Sequence, residues 1–249
     1  MDLDAYVRRI GYDGLLTPSL DTLRGLHRAH LLAVPFENLD IHLQRRIVLD
    51  EAHLFDKIVY QGRGGFCYEQ NGLFAAVLRA LGFDVVLLEA RVNARDWDSG
   101  TPFDHLTLAV QLDERWLADV GFGDSYFEPL RLDFPGPQSQ SNGVFRVTHD
   151  GTTGAHARRT ASGDWHDEYL FCMTPRTLQD FVAGCDYHQS SPQSHFTRQR
   201  ICSQATAQGR ITLSDRRLII TENGHRREFD LEGEALFRAT LQEYFHIRL

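Results

Sequence analysis

Hydrophobic periodicity changes once along this chain, near Gly82, and that change limits the architectures open to it. Before it, apolar residues recur three and four apart. Leu3, Tyr6, Val7 and Ile10 follow a capping Asp2. Leu20, Leu23, Leu26, His27 and Leu31 form the next stripe, with Thr17 as its cap, Pro18 in its first turn and Pro35 as its stop. Phe74, Val77, Leu78 and Leu81 mark a third helix from near Cys67 to Leu81, closed by Gly82. After Gly82 the pattern is that of strands: "FDVVLLEARV", "HLTLAVQL", "RWLADVGF", "GVFRVTHD", "DEYLFCM" and "RITLSDRRLIITENGHRREFDL", with a loop from Phe134 to Gly143 and a hairpin at Asn223–Gly224. "EALFRATLQEYFHI" closes the chain as a helix. Helices first and strands afterwards is the order of an α+β chain, not of a doubly wound parallel sheet.

The 249 residues suffice for one large domain or two to three small units, and 42% apolar with 24% charged residues is ordinary globular composition. A net charge of −8 argues against broad nucleic-acid or anionic-membrane binding, though a local positive patch for a small anion stays open. No apolar run approaches the ~20 residues that cross a bilayer. "MDLDAYVRRIGYDG" has no apolar signal core, so a cytoplasmic location is expected. The four cysteines, Cys67, Cys172, Cys185 and Cys202, have no CxxC spacing and no paired-histidine companion. Neither a disulfide scaffold nor a metal site is expected, and the last three are read as core residues.

Cys67 stands apart, in "RGGFCYEQNG" at the start of the third helix. A helix N-terminus favours an anion through its free N–H groups and dipole, which lowers a thiol pKa, more so beside a histidine. Gly64 and Gly65 are expected to let the backbone turn sharply and to leave space beside the sulfur. Backbone N–H groups near Cys67, and at Phe103 or Asp104, are candidate oxyanion donors. The alternative is a buried structural cysteine. A cysteine nucleophile needs a base, and the base an orienting acceptor. Of the 12 histidines, His149, His156, His166, His188 and His225 lie in polar contexts and read as surface residues, whereas His105 opens an apolar strand. Asp119 is the single charge in the apolar run "LADVGFG", and reads either as its partner or as the cap of a turn at Gly121. A two-residue turn at Asp113–Glu114 pairs His105 with Phe122 instead, so the trio needs a longer loop, a bulge or an offset register. Glu37 and Arg63 are expected either to pair and fix the loop carrying Cys67, or to be solvated.

"HRAHLLAVPFENLDI", "GRGGFCYEQNGLF", "LGFDVVLLEARV", "DHLTLAV", "ADVGFG" and "SHFTRQRICSQATAQGRITL", in this order, resemble the arylamine N-acetyltransferase family over essentially the whole chain. The resemblance implies an N-terminal helical bundle over residues 1–84, a central β-barrel over 85–188 and a C-terminal α/β lid over 189–249, around a cysteine-protease-like core. It implies a Cys67–His105–Asp119 triad, acetyl-coenzyme A as donor, and ping-pong transfer through an acetyl-cysteine to arylamines, arylhydrazines or the oxygen of N-hydroxyarylamines. By motif position, Phe36, Val92, Phe122 and Phe196 line the acceptor pocket, and Gly121, Phe122 and Gly123 border the coenzyme A entrance. An amide synthase, a transglutaminase-like hydrolase and a non-catalytic binding protein of the same fold are the rival readings, and a monomer and a homodimer both stay open.

Overall fold

The computed structural model describes residues 1–249. α1 (Leu3–Ile10) starts where expected, with Asp2 Oδ1 accepting the Ala5 N–H at 2.9 Å. α2 (Leu20–Ala33) starts two residues later than the Thr17 cap predicts. Ser19 is its N-cap, accepting the Thr22 N–H at 3.1 Å, while Thr17 is exposed. A short strand β1 (Phe36–Glu37), α3 (Leu39–His42) and α4 (Glu51–Phe55), continued by a π-helical turn over Asp56–Tyr60, lead to α5 (Cys67–Ala80). Every residue of α5 from Cys67 to Leu78 is buried, as befits a helix with packing on all sides.

β2 (Asp84–Val92), β3 (His105–Gln111), β4 (Arg115–Ala118), β5 (Leu130–Arg131), β6 (Gln138–Gln140), β7 (Gly143–His149), β8 (Thr153–Arg159) and β9 (Trp165–Cys172) form one antiparallel sheet in the order β5-β4-β3-β2-β9-β8-β7-β6. The sheet curls into a nearly closed barrel. The Gln138 side chain joins its edges, accepting the Arg131 N–H at 2.8 Å and donating to the Arg131 carbonyl at 3.0 Å. Both faces of β2 and β3 are covered, which explains their continuous apolar runs. Val85, Leu87, Leu106 and Leu108 pack against the helices, and Leu88, Ala90 and Ala109 face the barrel interior. Two strands lack an apolar signature in the sequence: β6 lies inside the expected Phe134–Gly143 loop, and β8 ("TGAHARR") is held by β7 and β9 rather than by β-propensity.

The β3–β4 register is offset by one from a two-residue turn. Gln111 pairs with Arg115 across Leu112, Asp113 and Glu114, and β4 stops at Ala118. Extended by one pair, this register would set Asp119 across from Thr107, two residues from His105, so Asp119 and His105 lie on the same face.

α6 (Val182–Ser190) runs through the expected division between residues 188 and 189. After α7 (His195–Arg198) come β10 (Ile201–Thr206), β11 (Gly209–Ser214), β12 (Arg217–Glu222) and β13 (His225–Asp230), in a second antiparallel sheet ordered β1-β10-β11-β12-β13. The Asn223–Gly224 hairpin is present, closing on the Glu222–His225 pair. α8 (Glu234–Phe245) lays Phe237, Leu241 and Phe245 against Cys202, Leu213, Leu218 and Ile220 of that sheet. Because β1 is its edge strand, Phe36 pairing with Ser203, the N-terminal helices and the C-terminal sheet are stitched together beside Cys67. Cys172, Cys185 and Cys202 are free and buried. No helix is long and apolar enough to cross a membrane.

The displaced cap gives a direct check. Ser19→Ala is expected to cost about 1 kcal/mol and Thr17→Ala less than about 0.5 kcal/mol, read from urea midpoints at unchanged slope. Equal losses would put the cap back at Thr17.

Candidate active site

The segment before Cys67 is shaped by close contact. Phe36 and Gly65 form a parallel bridge, with the Glu37 N–H donating to the Gly65 carbonyl at 3.0 Å. A Cβ on Gly64 would lie 1.9 Å from the Pro35 carbonyl oxygen, and one on Gly65 would lie 2.7 Å from Glu69 Cβ. Neither glycine has positive φ. They admit a neighbouring strand and a side chain; the expected sharp turn and space beside the sulfur are not their role.

Cys67 is the first residue of α5. The three polar residues that follow Tyr68 are all buried and all bonded. Glu69 Oε2 accepts the Phe66 N–H at 3.1 Å, the position three residues past the cap being the one signal in the sequence that marks it. Gln70 Nε2 donates to the Gly65 and Pro35 carbonyls at 2.9 and 3.2 Å, and its Oε1 lies 3.0 Å from His30 Nε2. Asn71 Nδ2 donates to the Leu106 carbonyl at 2.6 Å and to Asp119 Oδ1 at 2.8 Å, while its Oδ1 accepts the Val120 N–H at 2.9 Å.

Beneath this turn lies a buried ion cluster. Arg63 Nη2 sits 2.8 Å from Glu37 Oε1 and 3.0 Å from Asp40 Oδ1, and Lys57 Nζ is 2.7 Å from both Asp40 Oδ2 and Glu69 Oε1. Glu37 is fully buried, so these charges are not solvated. Burial alone would raise the Asp40 carboxyl, but Lys57 and Arg63 outweigh it and hold it below the usual range. Asp40 and Lys57 carry no mark in the sequence; a helical segment and a π turn bring them in.

His105 Nε2 lies 2.6 Å from Asp119 Oδ2. Asp119 Oδ1 accepts from Asn71 and from the Gly121 N–H at 2.9 Å, so the carboxylate orients the imidazole and caps the turn at once. Burial raises the Asp119 pKa, yet His105, Asn71 and Gly121 together bring it below the ordinary value. The anion can only accept, so His105 carries its proton on Nε2 and leaves Nδ1 as its acceptor nitrogen. The Asp119 N–H donates to His27 Nε2 at 3.1 Å, and His27 Nδ1 donates to the Phe127 carbonyl at 2.9 Å. His27 is thereby fixed as a neutral imidazole, its pKa lowered by burial to about 4.

The sulfur does not follow the expectation for its place in the helix. Burial pushes the Cys67 thiol up, the Leu106 N–H opposes this, and Asp104 and Asp119 add to it. Ionisation at Cys67 thus needs a positive charge that the helix terminus alone does not provide. The Phe103 N–H, a candidate oxyanion donor, is directed at Glu89 Oε1 at 3.3 Å. Gly121 must be glycine, since a Cβ would fall 2.8 Å from Cys67 Cα.

Cys67 and His105 line one cavity of about 930 Å³, together with Phe36, Val92, Phe122, Phe196, Gly121 and Gly123. The Phe36 and Phe196 rings are 6.0 Å apart. Polar and charged residues line the cavity as well. Arg158 and Arg210 both reach Asp124 there, at 3.4 and 3.3 Å, and Arg226 lies nearby. Two histidines read as surface residues are buried, His156 inside the barrel and His188 in the last turn of α6. Their neighbours in sequence are small or polar, so nothing local marks their burial.

A family model described as N-acetyltransferase matches residues 19–249. The arylamine N-acetyltransferase of Escherichia coli strain K12 is 36% identical over 247 residues, covering 98% of this chain and 88% of that one. The arylamine N-acetyltransferase / N-hydroxyarylamine O-acetyltransferase of Salmonella typhimurium is 38% identical over 226 residues, covering 90% and 80%. The solved structure of Mycobacterium marinum arylamine N-acetyltransferase in complex with CoA superimposes with a TM-score of 0.90 at 34% identity, covering 99% of this chain and 93% of that one. The fold and these relatives define an acyltransferase. The chain belongs to the arylamine N-acetyltransferase family.

One titration near the cavity is checkable. Burial, with Asp124 and Asp119 adding to it against Arg158, raises Glu168 from about 4.5 to about 7. A carboxyl raised on folding favours the folded state fully only below its unfolded pKa, so stability drains as pH rises from about 4.5 to about 7. Glu168→Gln is expected to remove that loss. Its melting temperature relative to the parent should rise between pH 5 and pH 8, and a gap that stays constant would contradict the assignment.

Proposed function

We propose that this chain transfers an acetyl group from acetyl-coenzyme A to the nitrogen of arylamines and arylhydrazines, or to the oxygen of N-hydroxyarylamines, in a ping-pong cycle through an acetyl-cysteine at Cys67. One observation carries the reading: the Cys67 thiol and an imidazole held at 2.6 Å by an anionic carboxylate wall the same cavity. The names of the relatives and the CoA complex of a structural neighbour support the donor and the acceptor class.

The steps follow from the residues. Asp119 stabilises positive charge on His105, and that charge offsets the burial that keeps Cys67 protonated. The sulfur attacks the thioester carbonyl. The Cys67 N–H, with the Asp104 N–H as the remaining loop candidate, faces the oxyanion. His105 returns the proton to the departing coenzyme A thiolate. An aromatic amine then enters between Phe36, Val92, Phe122 and Phe196, where a flat apolar ring is favoured. Its nitrogen is weakly basic, so a lone pair is free at neutral pH. His105 accepts the amine proton as the nitrogen attacks, and Cys67 leaves as the thiolate. Arg158, Arg210 and Arg226 line the same cavity, and three guanidiniums against the Asp124 carboxylate that Arg158 and Arg210 share suit the phosphates of coenzyme A.

Mixing enzyme with acetyl-coenzyme A alone is expected to release up to one equivalent of thiol, with further release only when an arylamine is added. Cys67→Ala should abolish both phases. Asp119→Asn should keep cooperative unfolding while slowing iodoacetamide alkylation of Cys67 at pH 6 by about tenfold or more. Continuous thiol release without amine would instead identify a hydrolase, and alkylation undiminished in Asp119→Asn would remove Asp119 from the mechanism.

A further inference from the structure

A second imidazole–carboxylate pair lies beside the cavity, and the steps above make no use of it. His188 Nε2 is 3.0 Å from Asp104 Oδ1, and Asp104 Oδ2 accepts the Val92 N–H at 3.1 Å. On the other side, His188 Nδ1 is 3.1 Å from Ser194 Oγ, which accepts the Phe196 N–H at 3.2 Å. The bonds form one chain, Val92–Asp104–His188–Ser194–Phe196. Val92 and Phe196, at its two ends, both line the cavity. With Nε2 protonated and Nδ1 accepting the serine hydroxyl, every donor along the chain meets an acceptor.

The residue types are those of a serine nucleophile with its base and acid, but the placement is not. Ser194 is 3% exposed and lies outside the residues that line the cavity, and its oxygen is already an acceptor for a backbone N–H. It cannot meet a substrate carbonyl. What the chain can do is hold distance. The Phe196 carbonyl is tied toward α3 by Asn38 Nδ2 at 2.9 Å and by His42 Nε2 at 3.0 Å, and the Ser194–His188–Asp104 link is the hydrogen-bonded side-chain path from Phe196 to Val92. α7, four residues long, has too few internal bonds to fix that spacing itself. The His188 ring also packs 5.3 Å from the Phe196 ring.

We infer that Asp104, His188 and Ser194 are positioning residues that set the separation of the Val92 and Phe196 walls, and thereby the width of aromatic amine that the acetylated enzyme accepts. The inference rests on the acceptor pocket proposed above. It places the effect of His188 and Ser194 in the second half-reaction, because their hydrogen bonds run to Asp104, to each other and to Phe196, and not to Cys67 or His105.

The test compares the parent, Ser194→Ala and His188→Gln with aniline and 2-aminonaphthalene as acceptors. Each is assayed for the single-turnover release of coenzyme A without amine and for kcat and KM with amine. Ser194→Ala is expected to raise acceptor KM about fivefold and to shift the two-ring to one-ring ratio of kcat/KM at least about threefold. The release of coenzyme A should stay within about twofold. His188→Gln keeps a donor for Asp104 but cannot span to Ser194, and should fall between the two. An unchanged acceptor ratio in both variants overturns the inference. So does a fall in the coenzyme A burst that matches the fall in amine transfer, including complete loss of the burst in both, since the inference gives these residues no part in that step. A parent enzyme that acetylates neither amine would defeat the proposed function itself, and is recognised before either variant is compared.

Discussion

The side-chain amide of Asn71 is the joint on which the site depends. It holds α5, which carries Cys67, to the barrel, which carries His105 and Asp119, through bonds to the Leu106 carbonyl, the Asp119 carboxylate and the Val120 N–H. Asn71 and its three partners are buried, so each bond is made where an unmade one is costly. The amide is well suited to this joint. It offers two donors and an acceptor in one plane, enough to match a carbonyl, a carboxylate and a backbone N–H together. A leucine of similar size would leave Asp119 with less compensation for its burial and the β4 exit without its anchor.

Around that joint the protein spends its polarity unevenly. One flank is an ion cluster of Glu37, Asp40, Lys57, Arg63 and Glu69, which pins the chain entering α5. The other is a set of neutral imidazoles. His27 holds both ends of the segment from Asp119 to Phe127, and His30 links α2 to Gln70 and Tyr6. Burial keeps both rings uncharged, their pKa values lowered to about 4 and about 3. Near Cys67 the contrast matters. Added carboxylates oppose the thiolate, whereas neutral hydrogen-bonding rings shape the site without changing its charge.

How much of this was legible follows the range of each signal. Helix starts and strand runs are local, and Asp2, Cys67 and the Asn223–Gly224 hairpin fall where the sequence places them. Thr17 failed as a cap because Ser19 offers the same chemistry two residues on, and backbone conformation chose between them. β8 and His156 were unreadable, because an alanine- and arginine-rich strand is made by its neighbours and not by its own residues. The glycines before Cys67 were found, but their reason was not. A carbonyl from a segment some thirty residues earlier fills the space a Cβ would need.

The sequence by itself determined the α+β order and, by residue type and local context, marked Cys67, His105 and Asp119 as candidates, while the apolar residues of the cavity were named through the family resemblance. Tertiary structure alone decided that β3 and β4 pair one residue out of the simplest register, that Asp119 therefore leaves its strand within 2.6 Å of His105, and that the Cys67 thiol is pushed up by burial. Register, proximity and dielectric surroundings are properties of segments packed together, and no single segment carries them in its own order of residues.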